Sequence, residues 1–477
     1  MNTKLKLIAA AAAAFACTQA QAFGPTITPD VTIYIAGGSA QGGAFLAFAE
    51  KMMTSNIDVY TDDTTCAAQG ANYRAVFGTA AATLADGTAM PPSIAGKKLF
   101  IEYANNGGTF KNGIDGPVRA HAVDFQTYLG NSVTTGCAAS FSSGPTYHVT
   151  TATTTANFIP LLGLSDEEIP LFSGVNLPAG SAAITSAELS KIAAQGLYEN
   201  VFSVAENNVL AAQKTNFSKA EVTAIFAGTY TNWNQLIGDV GTFNGVALPA
   251  GKITIIDRAA GSGSKAAFNQ YFLNNPGSSA SSGALSPRNA SGTIGNCGTP
   301  ATHGSGSYDE VTGGDCSESS NGNVKKGLNA ANTAGARAVG ILGLEFQPAS
   351  GTDSYVFGHL NGVVVDGVSS RTCGNAVATL FEPANVVSGA HDLFFTNSLN
   401  YRTASVGGAP FFGDGSVSSD FITAFSVTAS DPATEVSVPG VMLDPVVVGA
   451  PAGSPWDACI TKGTHNLTST APLQLQY

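Results

Sequence analysis

Three short apolar stretches of this chain each run straight into a polar, glycine-rich turn. Thr32–Ala36 (TIYIA) is followed by Gly37-Gly38-Ser39-Ala40-Gln41, and then by Phe45, Phe48, Ala49 and Met52 at helical spacing. Lys98–Tyr103 (KLFIEY) enters Asn105-Asn106-Gly107-Gly108-Thr109. Lys252–Ile256 (KITII) leads through Gly261-Ser262-Gly263 to a short helix, Ser264–Leu273, with Phe268, Tyr271 and Phe272 on one face. Strands that alternate with helices through most of a chain argue for an α/β architecture with mainly parallel sheets, whose ligands sit at the strands' carboxyl ends. Capping boxes at Thr185/Glu188 and Ser218/Glu221 mark further helix starts, the second opening a helix from Lys219 to Ala227 that Gly228 ends.

The length of 477 residues suits two or three domains. Only 11% of residues are charged and 44% are hydrophobic, which excludes long charged coiled coils and highly charged disorder. A net charge of −12 without a polybasic run gives nucleic acid no electrostatic footing. Residues 1–22 read as a signal peptide: Lys4 and Lys6, then the apolar run Leu7–Ala16, then Ala20-Gln21-Ala22 as the cleavage site, with the mature chain starting at Phe23. Lipid attachment at Cys17 is disfavoured by the bulk of Phe15, and no apolar run approaches the ~20 residues of a membrane span. Cleavage leaves 19 basic residues against 33 acidic, a charge of −14, in a protein exported to the periplasm or beyond. The six remaining cysteines, Cys66, Cys137, Cys297, Cys316, Cys373 and Cys459, allow 15 sets of three disulfides. Pairing of neighbours along the chain is the expectation, and a zinc site is disfavoured by the lack of any CxxC. Residues 274–323, rich in Gly, Ser, Asn and Thr, read as a surface insertion clipped by a disulfide.

The residues that could carry chemistry centre on Ile256-Asp257-Arg258-Ala259-Ala260-Gly261-Ser262-Gly263-Ser264. Free N–H groups at a helix start, glycines that admit an oxyanion, serine hydroxyls and a guanidinium together make an anion site. Taken alone, the same segment also suits a turn in which Ser262 or Ser264 merely caps the helix, and the spacing is not that of a Walker A loop. Asp166, directly after Ser165 at the end of an apolar run, likewise suits a helix cap when taken alone. Neither GxSxG nor HExxH occurs, and the six histidines are scattered singly, which disfavours a hydrolase. Asp309, Glu310 and Asp315 are a weak cation candidate without EF-hand spacing, and the aromatic residues fit core positions better than a sugar platform.

In combination these segments resemble the phosphate-binding periplasmic proteins that feed phosphate-specific ABC transporters. Ser218–Trp233 (SKAEVTAIFAGTYTNW) resembles that family's helix, its Ile-Phe-x-Gly ending and its following Asn-Trp. Arg258-x-x-x-Ser262-Gly263-Ser264 follows at the expected distance, Gly163–Asp166 resembles the Ser-Asp turn, Ala338–Leu342 the return strand, and Val386–Tyr401 the late Gly-x-x-Asp-Leu segment. The resemblance implies a two-lobed, periplasmic-binding-protein-like (type II) α/β fold, with one lobe from Phe23 to Ala194 plus Glu345 to Tyr477, the other from Gln195 to Leu344, and the ligand between them. It implies that Arg258, Ser262, Gly263 and Ser264 hold phosphate from the second lobe, and that Ser39, Ala40 and Asn106 do so from the first. Asp166 then accepts a hydrogen bond from the protonated oxygen of HPO4 2−, which excludes sulfate. No cofactor or metal is implied, the expected state is a monomer, and an ABC permease is the candidate partner. The sequence departs from the family at Asn105-Asn106-Gly107-Gly108, at Ser264 in place of threonine, and in the long stretch from Tyr103 to Asp166. The alternatives are a secreted phosphatase-like enzyme and a surface protein that keeps the fold without the ligand.

Overall fold

The computed structural model describes residues 23–62, 71–130, 155–276, 283–288, 314–365, 383–438 and 441–445, with short stretches at 133–135, 146–149, 308, 310–311, 368–373, 376–381, 459–461, 463–464, 467 and 474–475. The proposed signal peptide, Cys66, Cys137, Cys297, Asp309, His303 and His465 lie outside the described residues.

The elements that position the site are, in chain order, β1 (Val31–Gly37), α1 (Gly42–Lys51), β2 (Met53–Thr61), β3 (Tyr73–Ala80), β4 (Lys98–Ala104), β5 (Leu162–Ser165), β6 (Ile192–Asn207), α2 (Lys219–Phe226), β7 (Thr254–Arg258), α3 (Gly263–Leu273), β8 (Gly314–Glu318), α4 (Asn321–Thr333), β9 (Ala338–Gly343), β10 (Phe394–Arg402) and α5 (Val417–Ala429). They join one sheet in the order β8, β7, β9, β6, β10, β5, β1, β4, β3, β2. Each apolar stretch picked out in the sequence is a strand here, both capping boxes form, and Phe45, Phe48, Ala49 and Met52 are buried.

The sheet is mixed rather than mainly parallel. Among the strands named above, parallel pairs form two blocks, β4–β1–β5 and β8–β7–β9. Between them, β6 runs antiparallel to both β9 and β10, and β10 runs antiparallel to β5. These two strands carry the chain from one block to the other and back. Each parallel block, covered by its helices, is one lobe of a two-lobed α/β fold.

β6 is 16 residues long and buried from Leu197 onward. Paired on both edges, it accommodates buried polar side chains that find partners of their own. Thr396 donates to Glu199 at 2.7 Å, and Asn207 donates to the carbonyl of Ala336 at 2.7 Å. One core packs α1 and α5 against β1 and β4 through Phe45, Phe48, Ile101, Phe421 and Phe425. A second joins Phe110 and Ile114 of the first lobe to Ile225, Ile255 and Phe268 of the second, so the lobes share an apolar contact.

The chain stays with the second lobe beyond Leu344. Tyr355–Phe357 pairs with the end of β6, and His359–Leu360 pairs with Asn216–Phe217. The return to the first lobe is made by β10. Residues 314–323, expected in a surface insertion, instead supply β8 and the start of α4, with Cys316 fully buried. Hydrogen-bond pairing to β7 along the whole of β8 overrides the polar, glycine-rich composition that suggested a loop. The acids proposed there for a cation are engaged in ion pairs: Glu310 with Arg337, and Asp315 with Arg288 at 3.0 Å. Cys373 and Cys459 form a disulfide, and Cys316 is disulfide-bonded as well.

Burial raises the carboxyls of Glu50 to about 7 and Glu345 to about 8, and raises those of Glu199 and Glu435 as well. A carboxyl raised in the folded state contributes stability that is complete below its ordinary value of 4.5 and is lost as pH climbs through the folded value. Glu188, held down to about 2 chiefly by Arg119, works in the opposite sense but only below that window. The unfolding midpoint is therefore expected to fall between pH 5 and pH 8 in differential scanning calorimetry. A midpoint that rises across this range would contradict the assignment of these buried groups.

Candidate functional site

Parallel pairing puts the carboxyl ends of a block's strands on the same edge of the sheet. In the first lobe that edge receives the turns after β1, β4 and β5, which carry Ser39, Thr109 and Asp166. In the second it receives the turns after β7, β8 and β9, which carry Arg258 with Ser262–Ser264, Asn321 and Glu345. Because the lobes are in contact, the two sets of turns face each other across the interface.

Three helical starts converge there. The turn from Ser39 to Gln41 begins after Gly38, the helical segment Thr109–Asp115 begins after Gly108, and α3 begins after Ser262. Gly108 and Gly261 hold φ of 77° and 89°, a left-handed conformation that glycine adopts without a Cβ penalty. The first N–H groups of each start have no partner within their own helix and carry the positive end of its dipole.

The lobes meet at Thr109, Asp166 and Gly263. Thr109 Oγ1 donates to Asp166 Oδ1 at 2.6 Å and accepts from the N–H of Gly263 at 3.1 Å. The N–H of Phe110 donates to the carbonyl of Gly261 at 2.9 Å. A Cβ on Gly263 would overlap the Asp166 carboxylate, so the glycine is required by this close approach. Asp166 is 2% exposed; burial raises its carboxyl, against the lowering effects of the Thr109 hydroxyl and the Arg258 charge.

Arg258 is 3% exposed. Its guanidinium donates to Asn321 Oδ1, to Ser264 Oγ at 3.3 Å and, across the interface, to Ser39 Oγ at 3.4 Å. The carbonyls of Glu318 and Ser319 accept from it at 3.3 Å each. Burial pulls its pKa down to about 10, while Asp166, Asp257, Glu318 and Glu345 oppose the shift, so it stays charged at neutral pH. Behind it, Asp257 pairs with the buried Lys265 and accepts from the N–H of Arg258 at 2.7 Å, which fixes the strand-to-helix corner.

Ser262 stands where a helix cap is expected, yet its side chain makes no capping bond. Its hydroxyl is buried with no hydrogen-bond partner among the described residues. Ser264 donates to Asn321 Oδ1 at 3.3 Å. A simple capping role is thus met by neither serine.

Of the residues expected at the site, Ser39, Asp166, Arg258, Ser262, Gly263 and Ser264 come together, and Ala40 lies beside Ser39 in the same short helix. Asn106 does not join them. It is exposed, donates to the Tyr73 hydroxyl at 2.7 Å and accepts from Asn112 at 3.1 Å. Thr109, three positions later and directly after the positive φ of Gly108, is the residue of this turn whose side chain reaches Asp166. The sequence does carry that signal: Thr109 is the hydroxyl residue directly after the turn's last glycine. Asn321 and Glu345 were hidden, the first by the composition of 274–323 and the second by lying past the expected end of the lobe.

Residues 175–356 match the PBP superfamily domain, and the motifs at Ser218–Trp233 and Arg258–Ser264 fall within the matched stretch. Among solved structures, one from Clostridium perfringens, described as a phosphate ABC transporter substrate-binding protein with bound phosphate, is 12% identical, over 85% of this chain and 95% of its own, at a TM-score of 0.41. PstS from Borrelia burgdorferi is 10% identical over the same shares, at 0.35. A phosphate-binding protein from Stenotrophomonas maltophilia is 13% identical over 78% of both chains, at 0.36. At such scores these likenesses carry no argument about the site. No curated protein matches the chain.

Gly263→Ala tests the contact between the lobes. The added methyl has to displace the Asp166 carboxylate, a cost of about 1–3 kcal/mol for overpacking. The unfolding midpoint is expected to drop clearly, whereas Gly43→Ala, whose Cβ meets nothing within 4 Å, leaves it unchanged or raised. Equal midpoints for the two variants would contradict the geometry at Gly263.

Proposed function

We propose that this protein is an exported solute-binding protein that holds inorganic phosphate between its lobes, for uptake or scavenging. The observation that carries the reading is the Ser262 hydroxyl, buried and without a partner among the described residues at the N-terminus of α3, beside a charged, buried arginine. A buried hydroxyl without a hydrogen bond costs about 1–3 kcal/mol. A bound oxyanion removes that cost, while Arg258, Ser39, Ser264 and the first N–H groups of the helical starts replace its water.

Asp166 supplies discrimination. Ionised Asp166 accepts a hydrogen bond from the proton that HPO4 2− or a singly protonated phosphomonoester carries, whereas fully ionised sulfate has no proton to offer and would leave two negative groups face to face. The mature chain's charge of −14 repels anions in general, so binding has to be local to this site. Closure of the lobes around the anion creates a surface that an ABC permease could recognise. No helix among the described residues is long and apolar enough to cross a membrane.

Calorimetric titration of the mature protein, freed of anion, tests the reading. Phosphate is expected to bind and sulfate to be ignored. Arg258→Ala is expected to weaken phosphate by roughly a hundred-fold, corresponding to about 3 kcal/mol for a lost charged contact. Asp166→Asn should narrow the gap between phosphate and sulfate. Absence of heat and of thermal stabilisation with phosphate would refute it.

A further inference from the structure

A cavity of about 130 Å³ lies beside Ser39. Ser39, Ala40 and Glu345 line it, and Ser39 Oγ is also 3.4 Å from Arg258 Nη2, so the cavity and the candidate anion site share a wall. Val438, Val441, Phe346 and the ring of Tyr198 make its apolar sides. The Tyr198 hydroxyl donates to Gln41, which leaves the ring as the surface it presents.

The cavity is not purely apolar. Asn200 lines it from β6, 3% exposed, and its side-chain N–H2 has no hydrogen-bond partner among the described residues. Arg74 and Glu345 contribute a guanidinium and a carboxyl to the lining. Gly43, the third lining residue from α1 and its 3-10 lead-in, is exposed, and a Cβ placed there would meet nothing within 4 Å. The space therefore reaches the surface beside a residue without a side chain.

Inorganic phosphate at Arg258 has no atoms to offer to these walls. A volume of this size holds roughly a benzene-sized group. Apolar sides give such a group a place to bury carbon, and the orphaned donor on Asn200 asks for an oxygen at its far end. We propose that this cavity is a second subsite, which takes the organic part of a small phosphomonoester: a short carbon chain bearing hydroxyl groups, attached to the phosphoryl group held at Arg258. The inference rests on the anion reading above and narrows its ligand class.

Glycerol 3-phosphate is the probe, titrated against inorganic phosphate into the mature wild type, Gly43→Leu and Asn200→Ala. Gly43→Leu fills the mouth of the cavity, and Asn200→Ala removes its donor; neither residue belongs to the anion site. Glycerol 3-phosphate is expected to bind the wild type at least ten-fold more tightly than phosphate does. Each variant should lose roughly ten-fold in affinity for the ester, the scale of one hydrogen bond, and stay within two-fold for phosphate. Unfolding midpoints near that of the wild type establish that both variants fold, and Asn200→Asp, which keeps shape without the donor, replaces Asn200→Ala if that variant does not.

Phosphate binding with no ester binding would overturn this inference and leave the phosphate reading intact. Ester binding that both variants leave unchanged would also overturn it, since the ester would then lie elsewhere. Ester binding without phosphate binding would support the subsite and overturn the inorganic reading. Binding of neither would overturn both.

Discussion

The charge buried at Arg258 is the constraint around which the two lobes are organised. An isolated guanidinium inside a protein is costly unless paired and hydrogen-bonded. Here each of the three strand ends in the second lobe contributes to satisfying it: Ser264 after β7, the carbonyls of Glu318 and Ser319 after β8, and Glu345 after β9. Asn321, at the start of α4, accepts from it directly. The first lobe adds Ser39 by hydrogen bond and Asp166 by charge. The site is thus a consequence of topology, because two parallel blocks deliver their turns to one interface.

That arrangement also explains why the glycines fall where they do. Gly108 and Gly261 take backbone conformations that turn their chains toward each other, and Gly263 gives up a side chain so that Asp166 can approach. Thr109 then bridges carboxylate and backbone across the interface. The Ser262 hydroxyl, buried and without a hydrogen-bond partner among the described residues, is a need at this centre that the protein itself does not meet, and it is what turns a well-packed interface into a candidate binding site.

Much of this was legible in the sequence where the determinants are local. The strand, turn and helix patterns at Val31–Lys51 and Thr254–Leu273, both capping boxes and the Arg258–Ser264 corner follow from spacing within a few residues, whereas Ser39, Ala40 and Asp166 came from the family resemblance. What long-range pairing decides was not legible. The mixed sheet depends on β6 and β10 finding each other across the whole second lobe, and β8 is a strand because β7 pairs with it, not because Gly-Asp-Cys-Ser-Glu favours one. Asn106 failed for a smaller reason. The turn's handedness at Gly108, which spacing does not encode, decides that Thr109 and not Asn106 faces Asp166.

The central claim is that the unmet hydroxyl of Ser262 is satisfied by a bound oxyanion. Ser262→Ala removes only that hydroxyl, which holds no other group in place, so its effect on affinity separates binding from folding. Phosphate affinity of this variant, measured by calorimetry beside the wild type, is predicted to fall roughly ten-fold with an unchanged or higher unfolding midpoint in the absence of phosphate. Unchanged affinity in a folded Ser262→Ala protein would contradict the account.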